Sequence, residues 1–308
     1  MVIGKVLGGA MLAGAAVSAY ARWEASSYRI RRLTAAALPR DADPLRIMHL
    51  SDLHMTPRRR RLQDWVATLA ELRPDLVVVT GDFLSHRDAV DPVVRALEPL
   101  MFSAPGVFVL GSNDYFAPRP INPFAYFAGP SDLHPDRAEL PWRDLVDRIG
   151  TAGWQHLPNA RTLISAGGLR IDVRGVDDPH IERDDYTLIA GSADPAADLS
   201  LGVAHAPYLR VLDAMAADGV DVALAGHTHG GQVCLPGYGA LVTNCDLDRR
   251  RARGLSTHAR PLMEFAPHDR DEMVLHVSGG LGTSPYAPVR LACPPEATLL
   301  TLAPKPGG

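Results

Sequence analysis

The sequence predicts an α/β fold. Short apolar runs of strand character alternate with segments whose apolar residues recur at helical spacing. Three early strands run out into Asp or Asn, and two later ones run into histidine. The chain has 308 residues, 46% hydrophobic and 21% charged, which is ordinary globular usage. That length suits one large domain or two small ones.

The first segment differs from the rest. Val6 to Ala21 is uncharged and rich in Ala and Gly, with Lys5 before it and Arg22 after it. As a helix it would span roughly 24 Å, short of the ~30 Å hydrocarbon core of a bilayer. Three readings stay open: a signal anchor, a cleaved signal peptide ending at Ala19-Tyr20-Ala21, or a helix lying on a membrane surface. The basic flank Arg22, Arg29, Arg31 and Arg32 would keep the remainder in the cytoplasm, whereas cleavage would place it outside. Membrane association is expected, with its side undecided. Residues 1–37 are read as this segment, 38–44 as a linker, and 45–308 as one catalytic domain.

Leu45 to Leu50 reads as a strand ending at Ser51-Asp52, and Leu62 to Leu72 as an amphipathic helix. Leu76 to Thr80 is a buried-type strand ending at Gly81-Asp82. Val90 to Leu100 follows as a helix that Pro92 would start near Asp91. Gly106 to Leu110 is a third strand, ending at Gly111. Pro118 to Pro141, rich in Pro and aromatics, reads as an insertion placed to act as a substrate lid. Leu199 to Ala204 delivers His205, and Val220 to Ala225 delivers Gly226-His227-Thr228-His229. In open α/β sheets, sites form beyond the carboxyl ends of strands, which is where these polar residues stand.

Those residues fit a pair of divalent ions. Such a pair needs a carboxylate able to bridge, with imidazole and oxygen ligands around each ion. Asp52 and His54 are two apart and face one site only where strand gives way to loop. His227 and His229 repeat that spacing among Gly226, Gly230 and Gly231. Paired histidines among glycines contribute little to packing. The mixed His and carboxylate set suits Mn, Fe, Zn or Co better than Mg or Ca.

The ordered segments Asp52-Leu53-His54, Gly81-Asp82, Gly111-Ser112-Asn113-Asp114, His205 and Gly226-His227-Thr228-His229 resemble the signature of the calcineurin-like metallophosphoesterases. The run Gly226 to Gln232 and the tail Gly280 to Ser284 resemble its YkuE/YaeI-type branch, whose members are often membrane-associated. The resemblance implies two mixed β-sheets face to face with helices outside, a four-layer sandwich. It implies one metal on Asp52, His54 and His229, a second on Asn113, His205 and His227, and Asp82 bridging them. It also implies a bridging hydroxide that attacks phosphorus in a phosphodiester, pyrophosphate or phosphomonoester, on a small molecule or a lipid head group.

One segment departs from that pattern. The family's Gly-Asn-His-Asp is Gly111-Ser112-Asn113-Asp114 here, so the histidine that helps protonate the leaving group is missing. Either Ser112 or, with a small loop shift, Asn113 supplies the ligand oxygen; Asn113 is the choice carried forward. Loss of a general acid costs on the order of 10²–10⁴ in rate, least for good leaving groups. His180 is the candidate substitute. The same departure motivates an alternative, a metal-binding but catalytically weak regulatory module at the membrane.

The rest of the composition excludes more than it adds. Net charge is -4, so nothing electrostatic points to nucleic acid as a partner. Cys234, Cys245 and Cys293 lack zinc-ribbon spacing; they form either free thiols or, in an oxidising compartment, a Cys234–Cys245 bridge. Arg249-Arg250-Arg251 is a candidate phosphate or acidic-lipid contact, and Arg290, Tyr115 and Phe116 are candidate substrate contacts. None of these receives a catalytic role.

Overall fold

The computed structural model describes residues 2–120, 137–260 and 272–306. Its helices are α1 (Val2–Glu24), α2 (Arg60–Ala67), α3 (Val90–Ser103), α4 (Ser112–Tyr115), α5 (Trp142–Thr151) and α6 (Leu209–Ala217). The strands of the first half are β1 (Arg29–Leu38), β2 (Leu45–Leu50), β3 (Leu76–Thr80), β4 (Gly106–Val109) and β5 (Gln155–His156). Then come β6 (Ala160–Ala166), β7 (Leu169–Gly175), β8 (Leu199–Val203), β9 (Val222–Ala225), β10 (Cys234–Leu235) and β11 (Gly239–Ala240). The last are β12 (Gly254–Ala259), β13 (Glu272–Val277) and β14 (Glu296–Pro304).

Two six-stranded mixed sheets result, in the orders β1-β14-β2-β3-β4-β5 and β12-β13-β9-β8-β7-β6. Strand periodicity explains their stacking. Val77 and Val79 of β3 face a core built with Leu62 and Val66 of α2, Leu97 of α3 and Leu145 of α5. Leu76 and Val78, the alternate residues, face Val173, Leu201 and Leu224 of the second sheet. That sheet's outer face packs Ala223 and Leu275 on Leu212 and Met215 of α6. The layers are therefore helix, sheet, sheet and helix, the sandwich expected above.

The parallel pairs β2·β3·β4 and β7·β8·β9·β13 bring their carboxyl ends to a common edge in each sheet. Loops from both sheets are stitched together there. Asp52 N donates to Gly81 O at 2.9 Å, His54 N to Asp82 O at 2.8 Å, and Gly226 N to His205 O at 2.8 Å. The tail joins the same cluster, with Leu281 N donating to Ser51 O at 3.0 Å.

Several expectations need correction. The boundary drawn at residues 37 and 38 falls inside β1, which pairs in parallel with β14 from Arg29 onward. Its arginines belong to an edge strand, where charged side chains blunt unwanted pairing. The helix expected over Leu62 to Leu72 is α2 followed by a 3₁₀ turn, Thr68–Leu72, that ends at Arg73 in the left-handed region (φ 48°). Most of the expected lid lies outside the described residues, but its closing end is anchored: Arg137 donates to Phe116 O and Ala117 O, both at 2.9 Å. No helix among the described residues is long and apolar enough to cross a membrane, so a spanning anchor is not supported. α1 instead exposes Met11, Leu12, Val17 and Trp23 while burying Ala21 and Glu24 against the body. All three cysteines are free thiols, and Cys234 lies beside Cys293 rather than Cys245.

Candidate metal centre

Asp52, His54, Asp82, His227 and His229 all adopt left-handed backbone conformations, with φ between 43° and 69°. Such conformations are uncommon for any residue but glycine and cost on the order of 1–3 kcal/mol each. Here they turn each side chain sharply off its strand end, so that residues two apart face one point. Two glycines make the approach possible. A Cβ at Gly226 would collide with Ser51 Oγ, and one at Gly111 with Asp82 Oδ1 and the His205 ring.

Two clusters emerge, each with its ligand atoms within 4.8 Å of one another: Asp52, His54 and His229, and Asp52, Asp82 and His205. Asp52 belongs to both, and Asp82, a member of the second, also approaches His54 of the first. Asp82 Oδ2 lies 3.5 Å from His54 Nε2 and its Oδ1 lies 3.6 Å from His205 Nε2. His54 Nε2 and His229 Nε2 are 3.1 Å apart, and His229 Nε2 is 3.6 Å from Asp52 Oδ1. His227 extends the second cluster, its Nδ1 being 3.3 Å from His205 Nε2.

The hydrogen bonds behind these rings define which nitrogens are available. His205 Nδ1 donates to Thr80 O at 2.6 Å, and His227 Nε2 donates to Asn244 O at 3.1 Å. Each bond uses the far nitrogen as donor and turns His205 Nε2 and His227 Nδ1 inward, toward each other. A divalent cation could take the place of the proton that His205 otherwise carries there and draw on both nitrogens. Asp52 Oδ1, fully buried, has no hydrogen-bond partner, and neither has Asp178 Oδ2. Buried acceptors of this kind are rarely left unsatisfied in native structures. Orphaned carboxylate oxygens and inward-turned imidazole nitrogens fit divalent cations.

Electrostatics point the same way. Burial pushes Asp52 up to about 6 and Asp178 to about 7. Burial and the Asp82 charge push Asp114 to about 8. Burial alone would also raise Asp82, but His205 and His54 hold it below the usual carboxylate range. His205 is drawn up to about 9 against burial by Asp82, Asp178 and Asp52, whereas burial lowers His54 to about 4. Burial also lowers His227 and His229.

The structure thus brings together Asp52, His54, Asp82, His205, His227 and His229. Asn113, not Ser112, reaches them: its backbone N donates to Asp82 Oδ1 at 2.9 Å and its Nδ2 to Asp82 Oδ2 at 2.7 Å. Its Oδ1 accepts from Arg137 Nη2 at 2.9 Å, so the amide presents nitrogen to the centre here. His180 stands at the rim, its ring centroid 4.5 Å from that of His227 and its Nδ1 3.1 Å from Tyr208 Oη. Burial and His205 lower its pKa to about 4.

Profile comparison decides the family, since the calcineurin-like phosphoesterase profile matches residues 45–231, more than half of the chain. The chain belongs to the calcineurin-like phosphoesterase family. By class it is a phosphoester hydrolase. It is 26% identical to a Bacillus subtilis (strain 168) protein described as an uncharacterized metallophosphoesterase, YkuE, over 97% of this chain and 94% of that one. It is 26% identical to the phosphodiesterase YaeI of Escherichia coli (strain K12), over 85% and 83% of the two chains. Among solved structures, a purple acid phosphatase from yellow lupin seeds aligns with 81% of this chain and 46% of its own, at TM-score 0.43 and 12% identity.

Other residues of this family member were missed or misjudged in the sequence. Ser51 Oγ donates to Asp52 Oδ2 at 2.6 Å, and His54 Nδ1 lies 3.0 Å from Ser85 Oγ. Both follow strand ends, a placement shared by too many serines to single them out. Arg290 is fully buried rather than substrate-facing. It donates to Gly279 O at 2.7 Å and Gly282 O at 2.8 Å, with Nη2 3.2 Å from His229 Nδ1, so it fastens the tail loop to a candidate ligand. Tyr115 is likewise buried, its Oη donating to Asp177 Oδ1 at 2.6 Å.

Proposed function

We propose that this chain hydrolyses a phosphodiester or pyrophosphate at a dinuclear centre of Mn, Fe, Zn or Co. Asp52, His54 and His229 would hold one ion, and Asn113, His205 and His227 the other, with Asp82 shared. The observation that carries this reading is the division of Asp82 between His54 and His205, one oxygen to each. When bound, the ions supply positive charge for the phosphoryl oxygens and lower the pKa of a water molecule.

The chain's own residues prepare that chemistry. Thr80 O and Asn244 O fix the tautomers of His205 and His227, and Ser85 orients His54. Asn113 clamps Asp82 through two hydrogen bonds, and a half-turn of its amide would direct oxygen toward the centre. His180, oriented by Tyr208, is proposed to donate to the departing oxygen, the negative charge of a bound phosphoryl group offsetting the burial that lowers it. With no histidine at Ser112, Asn113 or Asp114, substrates with good leaving groups are favoured: an aryl or nucleotide ester, or a pyrophosphate. Membrane association through α1 remains part of the proposal, supported by its exposed apolar residues.

Manganese-loaded protein offered an aryl phosphodiester tests the reading. Turnover that Asp82→Ala abolishes supports it. The absent histidine favours a second reading, a metal-binding module of little activity. Two bound metals with no turnover on mono-, di- and pyrophosphate esters would establish that module instead.

A further inference from the structure

We propose that a cleft on the side of the β10–β11 hairpin binds the phosphate head group of an anionic phospholipid at a membrane surface. The proposal does not rest on the metal-centre reading. The cleft, about 460 Å³, is lined by Arg31, Arg249, Arg250 and Arg253 and by no Asp or Glu. On a chain whose net charge is -4, that is a local inversion of sign. Arg31 shares its charge with Glu296 at 3.2 Å, but among the described residues no carboxylate pairs with Arg249, Arg250 or Arg253. The guanidinium of Arg249 sits over the Tyr238 ring, 5.1 Å from its centroid, which orients it without neutralising it.

The surroundings select a lipid surface over a soluble phosphate. Leu235 and Tyr238, on the hairpin at the cleft's rim, are 48% and 59% exposed. A second cavity shares Arg31, Arg253 and Ala292 with the first and extends to Tyr20 and Glu24 of α1. It is lined also by Glu296, so the anion site is confined to the first cavity. α1 leads away from this junction with Met11, Leu12, Val17 and Trp23 exposed. Leu235 and Tyr238 thus flank the arginines, and the neighbouring cavity carries the cleft on to the root of α1, the arrangement of a surface that inserts shallowly while its cations meet head groups. A free phosphate ester would need no apolar rim. Gly230, the neighbour of His229, lines the same cleft, so head group and metal centre would meet one loop from opposite sides.

Sedimentation of the full chain with vesicles tests this. Vesicles containing phosphatidylglycerol should bind well above those of phosphatidylcholine alone, and 0.5 M salt should erase the difference. The triple variant R249A/R250A/R253A should lose on the order of a hundredfold in affinity for the anionic vesicles, at roughly fivefold per arginine. It should keep its weak phosphatidylcholine binding and its turnover of a soluble aryl phosphodiester. L235S/Y238S should weaken vesicle binding without changing titration by inorganic phosphate. Equal binding of the triple variant and the parent to anionic vesicles would overturn the proposal. So would tight binding of inorganic phosphate with no preference for anionic vesicles, which would mark a soluble-anion site.

Discussion

His49 and His276 bring their Nδ1 atoms within 2.8 Å of each other, one from each sheet, at a fully buried contact. The two rings meet edge to face, and His49 Nε2 contacts Thr80 Oγ1 at 3.0 Å. Thr80 O in turn accepts from His205. This seam joins the sheets beside the metal centre, and both its rings must stay uncharged.

A pH dependence of stability follows from that requirement. Burial lowers both imidazoles, His49 being lowered further by His276, and His276 reaches about 3 with the Arg31 charge contributing. The unfolded chain therefore takes up protons first, below pH 6.5, while the folded one resists until near pH 3. Stability is full above pH 6.5 and falls as pH drops through that window. At pH 5 one such ring costs about 2 kcal/mol, since any folded value well below 5 gives the same loss. Urea unfolding at pH 7 and pH 5 should show the fall, and H49L/H276L should show less of it. An unchanged pH slope in the variant would refute the role of the pair.

Asp82→Asn tests the shared carboxylate with little change of shape. The amide can no longer offer a charged oxygen to both His54 and His205. Elemental analysis should find fewer metals per chain, and kcat/KM on an aryl phosphodiester should fall by more than about a hundredfold, beyond the usual cost of losing a supporting group. Full metal content with parental kinetics would remove Asp82 from the centre.

Gly226→Ala probes the closeness of the two sheets' loops. The backbone there is not left-handed, so the penalty comes from collision with Ser51 Oγ and, beyond it, Asp52 Oδ2. Overpacking of this kind costs about 1–3 kcal/mol, and Ser51 must give way. Since Ser51 holds Asp52, metal affinity should drop together with Tm. A lowered Tm with unchanged metal affinity would separate the packing role from the ligand-positioning role.

Much of this site was legible because it stands at strand ends. Leu45–Leu50 and Leu76–Thr80 form strands over the residues their apolar patterns mark, and the next polar residues fall at one edge. What stayed hidden is of two kinds. β1 looks like a basic membrane flank because an edge strand half open to solvent carries arginines for reasons of its own. Arg290, Thr80 and Asn244 act through tertiary contacts, two of them through backbone carbonyls that any side chain would provide. Sequence marks a candidate ligand at a strand end more readily than the group that orients it.

His180→Gln separates a proton donor from a packing residue by its dependence on the leaving group. The ring lies beside His227 and is oriented by Tyr208, and Ser112-Asn113-Asp114 carries no histidine. If His180 donates to the departing oxygen, an aryl leaving group needs little help and should lose less than about tenfold. An alkyl leaving group should lose on the order of 10²-fold or more. Tyr208→Phe, which removes the orienting hydroxyl, should shift the alkyl ester in the same direction by a smaller factor. Equal losses on both esters in His180→Gln would mean that the ring supports His227 and that the proton reaches the leaving group by another route.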